Sequence, residues 1–273
     1  MDAILRHEVL IEADQLKSKM AQGSLRIFDA TVLMNQAEAE PTAQDNYQQG
    51  HIPGAVFLDH SQLSDPNSQY QLTVPGEAEL AEAIGAIGIG NDDDVVVYST
   101  GMIAWATRIW WLLRHAGHQN VWVLNGGLKA WQDRGGEMET ENNQYEKSQF
   151  SADLQSDYFV NKEGMQQALT ETSVQTVHSL PQPIFDQAHI PSSVCQPCTD
   201  FLQDGVSLLP DEELKQRLVA NNEVGKTITY CGGGVAATVN AIVCRLVGNP
   251  DVSVYDGSMS EWVGEGLPVE SNS

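Results

Sequence analysis

Short apolar runs alternate with longer amphipathic ones along the whole chain. RIFDAT (26–31), AVFLD (55–59) and DDVVVYS (93–99) are β-branched or apolar runs closed by acids, serine or glycine. Their length and composition predict strands. Residues 103–116 carry apolar side chains around most of a helix, and NVWVLNG (120–126) returns to a strand. Farther on, SVQTVHS, ITYC and VSVYDG predict strands, and 235–247 predicts a helix. Strands alternating with helices at this spacing argue for α/β units around a mostly parallel sheet. The continuous apolar strands suit burial on both faces.

The pattern is written twice. With Tyr98 set against Tyr230, the glycine turns, helices, second strands and tryptophans fall into step. Asn125-Gly126-Gly127 meets Asp256-Gly257-Ser258, and Trp131 meets Trp262. Upstream, HIPGAVFLDHSQL (51–63) echoes HIPSSVCQPCTDFL (189–202). A repeat of roughly 130 residues is too long for a solenoid unit and is the size of a domain. The expected organisation is a first domain over 1–143, a polar linker over 144–159 and a second domain over 160–273.

Composition narrows the function. The net charge is −23, from 14 basic and 37 acidic residues. Such a surface repels nucleic acid and anionic membrane, so neither is an expected partner. No run reaches the length of a membrane helix, and Asp2, Arg6, His7 and Glu8 interrupt the N-terminal apolar positions, so the expected location is the cytoplasm. Four cysteines make no disulfide framework in a reducing compartment. Phosphate-loop and dinucleotide signatures are absent from the sequence. Neither a cofactor nor a metal is expected.

The candidate chemistry lies in YCGGGVAAT (230–238). Cys231 ends a strand, and a helix begins a few residues later. Gly232, Gly233 and Gly234 can adopt positive φ without steric cost and can curl the backbone so that successive amides point at the sulfur. The helix N-terminus adds positive potential at the same place. Both features favour an anionic sulfur, a thiolate or a persulfide. The first domain carries the same turn as YSTGM, with Ser99 at the cysteine position. One copy therefore holds a nucleophile and the other is catalytically silent.

HIPGAVFLD (51–59), WVLNGGLKAW (122–131), YCGGGVAAT (230–238) and VYDGSMSEW (254–262) together resemble the two-domain rhodanese sulfurtransferases. The resemblance covers nearly the whole chain. It implies tandem rhodanese-like α/β domains and a Cys231 persulfide cradled by Gly232, Gly233, Gly234, Val235 and Ala236. It also implies a small sulfur donor, 3-mercaptopyruvate or thiosulfate, and a thiophilic acceptor such as cyanide or a thiol. The uncharged loop is nearer the mercaptopyruvate type but lacks its two hydroxyls, at Gly233 and Ala236. His51 matches a histidine that supports the loop serine in that type. With Gly233 at the serine position, His51 reads as a structural cap. The arginine that grips an anionic donor in the family is Leu180 here, and the acid before it is His178. Arg108 and Arg114 are the first-domain cations considered as replacements. Three readings stay open: weak use of small donors, sulfur taken from a protein persulfide, or a binding module that keeps only a reactive thiol. Cys195 and Cys198 form C-Q-P-C, too few ligands for zinc. Either is a candidate to resolve a Cys231 persulfide. Cys244 and the tryptophans read as core.

Overall fold

The computed structural model describes residues 4–23, 25–34, 40–219 and 225–272. The first half builds a parallel sheet from β1 (Leu10–Ile11), β2 (Leu25–Asp29), β3 (Ala55–Phe57), β4 (Asp94–Tyr98) and β5 (Val121–Leu124), in the order β1-β5-β4-β2-β3. The second half repeats it with β6 (Phe159–Val160), β7 (Val174–His178), β8 (Val194–Cys195), β11 (Lys226–Tyr230) and β12 (Val252–Tyr255), in the order β6-β12-β11-β7-β8. Substituting each strand by its counterpart turns one order into the other. The predicted duplication is therefore a duplication of topology.

Val95, Val96, Val97 and Tyr98 of β4 are fully buried, as is Tyr230 of β11. Such strands have no solvent face, which explains why they read as unbroken apolar runs rather than alternating ones. Three strands of the parallel sheets escape the pattern: β1, β6 and β8 hold two residues each, too few for any periodicity. A small antiparallel hairpin, β9 (Leu202–Gln203) with β10 (Ser207–Leu208), has no counterpart among the described residues of the first half.

The two halves meet through equivalent helices, Ala104–His115 and Ala236–Leu246. Thr107 and Thr238 share a buried hydroxyl–hydroxyl hydrogen bond of 2.7 Å at the crossing. One apolar cluster runs through the contact, from Trp110 and Trp111 to Val239 and Ile242. The helices are apolar on most sides because each covers its own sheet and faces the other helix. The linker is ordered in the structure. Ser148 N donates to Gly85 O, Asp153 N to Ala116 O, and Phe150 and Tyr158 are buried. It lacks secondary-structure periodicity because it is a strap laid on the first domain.

Candidate active site

Cys231 stands at the carboxyl end of β11, the middle strand of its sheet, where ligands gather in open parallel sheets. It is 2% exposed. Its loop is held by its carbonyls. Cys231 O accepts from Met259 N (3.0 Å), and Gly232 O accepts from Ser260 N (2.9 Å) and Ser260 Oγ (2.7 Å). Gly234 O accepts from Arg108 Nη1 (3.2 Å). Among the described residues, no protein acceptor meets the amides of Gly232, Gly233, Gly234 or Val235. Backbone donors left over in this way, just before a helix, form a site for an anion.

The glycines are not equivalent. Of the three, only Gly234 uses that freedom, with φ +73°. A Cβ there would lie 2.7 Å from Asp256 O and 3.1 Å from Arg108 Nη1. A Cβ on Gly233 would meet nothing within 4 Å. Gly234→Ala is therefore expected to cost about 1–3 kcal/mol from strain at positive φ, and to lower turnover at least tenfold (~1.4 kcal/mol). Gly233→Ala is expected to melt near the parent. Thermal melts and initial rates of the two variants side by side test this; equal behaviour would reject it.

Sequence reasoning did not single out Ser258. It sits at φ +50°, opposite Gly127 of the first domain at +56°. A Cβ on Gly127 would be 2.1 Å from Ser99 O, so the first domain needs glycine there. The second domain takes a serine in that costly conformation, fully buried. Its Oγ accepts from Cys231 N (3.1 Å) and donates to Tyr255 O (2.8 Å). The signal was present in the pairing of Asn-Gly-Gly with Asp-Gly-Ser.

Arg108 crosses from the first domain and is 2% exposed. Besides Gly234 O it donates to Leu72 O and, at 2.7 Å, to Asp256 Oδ1, while Asp256 Oδ2 accepts from Val74 N at 2.7 Å. Its charge is committed to protein acceptors. Arg114 donates to Tyr158 OH and Gln119 O, outside the loop. Leu180 is half-buried, its Cδ1 3.9 Å from the Cβ position of Gly232, and forms an apolar lip. His178 is fully buried, and burial pushes its imidazole down to about 4, so it is neutral at pH 7. His51 stacks on Tyr47, with Nδ1 on Tyr47 O (2.8 Å) and Nε2 3.4 Å from Glu139. Its second-domain counterpart His189 stacks on Phe185 with Nδ1 on Phe185 O. The same arrangement in both copies marks a structural device of the fold. In the silent copy, Ser99 Oγ donates to Met102 O at 2.9 Å. A cavity of about 520 Å³ on the first domain, lined by Phe28, Asp59, Asn143, Tyr145 and Lys147 among others, does not include Cys231.

The rhodanese-like domain family matches residues 12–134 and again 163–265. The thiosulfate sulfurtransferase of Mus musculus is 34% identical over 275 residues, covering 92% of this chain and 89% of the relative. The 3-mercaptopyruvate sulfurtransferase of Homo sapiens is 31% identical over 274 residues, covering 94% and 91%. The crystal structure of SseA from Escherichia coli, a 3-mercaptopyruvate sulfotransferase by its description, superposes with a TM-score of 0.82 at 29% identity, covering 91% of this chain and 98% of that one. Two domains of one strand order, a lone loop cysteine in the second and full-length likeness to these enzymes agree: the chain belongs to the rhodanese family and is a tandem-domain sulfurtransferase.

Proposed function

We propose that Cys231 carries the sulfur as a persulfide, held by the loop Gly232–Ala236, and delivers it to a thiophilic acceptor such as cyanide or a thiol. The observation that carries this reading is the loop itself. Its carbonyls are drawn away by Met259, Ser260 and Arg108, while the four amides that follow Cys231 meet no protein acceptor among the described residues. With thiosulfate, the Cys231 thiolate attacks the outer sulfur and sulfite leaves with the electron pair. With 3-mercaptopyruvate, the attack breaks the carbon–sulfur bond and the pyruvate carbanion takes up a proton. The four free cysteines suit a reducing, cytoplasmic setting. Among the described residues no helix is long and apolar enough to cross a membrane.

Donor choice follows from charge. A dianion meets an uncharged loop, an apolar lip at Leu180 and a guanidinium already spent on Asp256. Of the two small donors, 3-mercaptopyruvate fits this site better than thiosulfate. The same features favour a second reading, a protein persulfide as donor, because contact area then replaces an anion clamp. The test is single-turnover loading with each donor, followed by intact-mass and peptide analysis. Extra sulfur on the Cys231 peptide, faster from 3-mercaptopyruvate, is expected. Sulfur mounted on another cysteine would sink the assignment. Leu180→Arg is expected to lower KM for both anionic donors about tenfold, since a charge-assisted hydrogen bond is worth about 1.5–3 kcal/mol. An unchanged KM would show that position 180 does not face the donor.

A further inference from the structure

Cys195 and Cys198 are three residues apart but lie on different sides of their sheet. His178 is in register with Tyr230 on one flank and with Cys195 on the other. Side chains beside one another in a sheet share a face, and successive ones alternate. The His178 and Tyr230 rings meet at 5.0 Å, within the group formed by Phe185, Ile190 and Trp262. Cys195 is assigned to that face. One residue on, Ser179 lies beside Cys231, with Ser179 N donating to Tyr230 O at 2.8 Å. Both belong to the opposite face, under the helix Ala236–Leu246.

Cys198 is on the Cys231 side. Its amide donates to Ser179 O at 2.9 Å, which ties the Cys198 backbone to the strand end beside Cys231. The turn Cys198–Phe201 packs against the helix Ala236–Leu246, and Asn240 Nδ2 donates to Gln196 O at 2.7 Å. Cys198 and Cys231, each 2% exposed, join one apolar cluster with Val235, Ala236 and Phe201. Burial, and then the nearby Cys231 sulfur, pushes the Cys198 thiol up to about 12. The Ser179 hydroxyl is fully buried and has no hydrogen-bond partner among the described residues. An orphaned hydroxyl costs about 1–3 kcal/mol, so the Ser179 side of Cys231 is not a fully satisfied polar environment.

We propose that Cys198 is a resolving thiol for the Cys231 persulfide, closing a Cys198–Cys231 disulfide and releasing hydrosulfide when no external acceptor is present. The proposal rests on Cys231 carrying the persulfide. The Cys198 sulfur attacks the Cys231 Sγ, and the bond from Cys231 Sγ to the outer sulfur breaks. The electron pair and the Cys198 proton leave with the outer sulfur as HS⁻. The outer sulfur falls from the persulfide to the sulfide level and the Cys198 sulfur rises from the thiol to the disulfide level, while Cys231 Sγ stays at the disulfide level, so no external oxidant is needed. Because so little of the buried thiol is ionised, the step is slow and loses to an external thiol acceptor. A dithiol reductant reopens the disulfide.

The test loads the full-length protein with sulfane sulfur from inorganic polysulfide under anaerobic conditions, removes the donor, and follows released hydrosulfide with non-reduced peptide mapping. The parent is expected to release close to one hydrosulfide per loaded chain and to yield a Cys198–Cys231 linked peptide. Cys198→Ala, which keeps an apolar side chain in the cluster, is expected to hold its persulfide at least tenfold longer, while Cys195→Ser decays like the parent. A link to Cys195, or equal decay in Cys198→Ala, overturns the proposal. A second arm treats the sulfur-free protein with diamide, which joins neighbouring thiols directly. A Cys198–Cys231 link supports the geometry, and its absence overturns it whatever the donor does. If polysulfide mounts no sulfur on Cys231 while diamide forms the link, the persulfide reading fails and the resolving step fails with it.

Discussion

Cys231→Ser is expected to reduce thiocyanate formation from cyanide by roughly 10⁴-fold or more, with either thiosulfate or 3-mercaptopyruvate, while leaving the melting temperature close to the parent's. The serine hydroxyl fills nearly the same space in a site that is 2% exposed, so packing is preserved. It fails because an alcohol is scarcely ionised at neutral pH and cannot carry a persulfide. The first domain offers no rescue. Ser99 occupies the same turn, and its hydroxyl already donates to Met102 O. Initial rates with both donors, set beside a thermal melt, check the expectation. Substantial transfer by the serine variant would place the chemistry on Cys195, Cys198 or Cys244, and the loop reading would be wrong.

What could be read from the sequence follows a physical line. Buried strands such as β4 and β11 announce themselves because both faces select apolar, β-branched residues. The pairing of Tyr98 with Tyr230 then carried the duplication of the longer strands and helices, and the two sheets share one strand order because the same connections are made twice. β1 and β6 were illegible because two residues hold no period, and their pairing is decided by the neighbours they dock on. The linker expected over 144–159 is a packed strap that runs into β6 at Phe159, and its packing left no mark in the sequence. Its bonds to Gly85 and Ala116 come from backbone groups, which any residue supplies. The same limit applied to the site. Cys231 and its glycines were visible as residue types, but which glycine needs positive φ depends on where Asp256 O and Arg108 lie. The separation of Cys195 from Cys198 needed the register of β7 against β8 and β11.

The sequence offers Arg108 as a substitute grip for an anionic donor, and the structure gives it a different task. It is a buried cation from one domain that fixes the loop of the other, through Gly234 O, and neutralises Asp256 at 2.7 Å. Arg108→Met keeps the length and apolar stem of the side chain but removes the charge and three hydrogen bonds. Breaking a buried pair by deleting one partner costs about 3–5 kcal/mol, because the remaining charge loses its compensation. Asp256 retains the Val74 amide and is partly exposed, so the lower end, about 3 kcal/mol, is expected. Turnover should fall further than stability alone explains, since a freed Gly234 carbonyl can rotate toward the sulfur that its neighbouring amides are meant to face. Arg108→Lys, with one ammonium for three acceptors, should fall between. The pair is separated from simple packing loss by a double-mutant cycle with Asp256→Asn. If the two act as one unit, Arg108→Met in the Asp256→Asn background should cost at least 1 kcal/mol less than in the parent. Additive losses would mean that Arg108 acts by filling space, and that the second domain's loop holds its shape without help from the first.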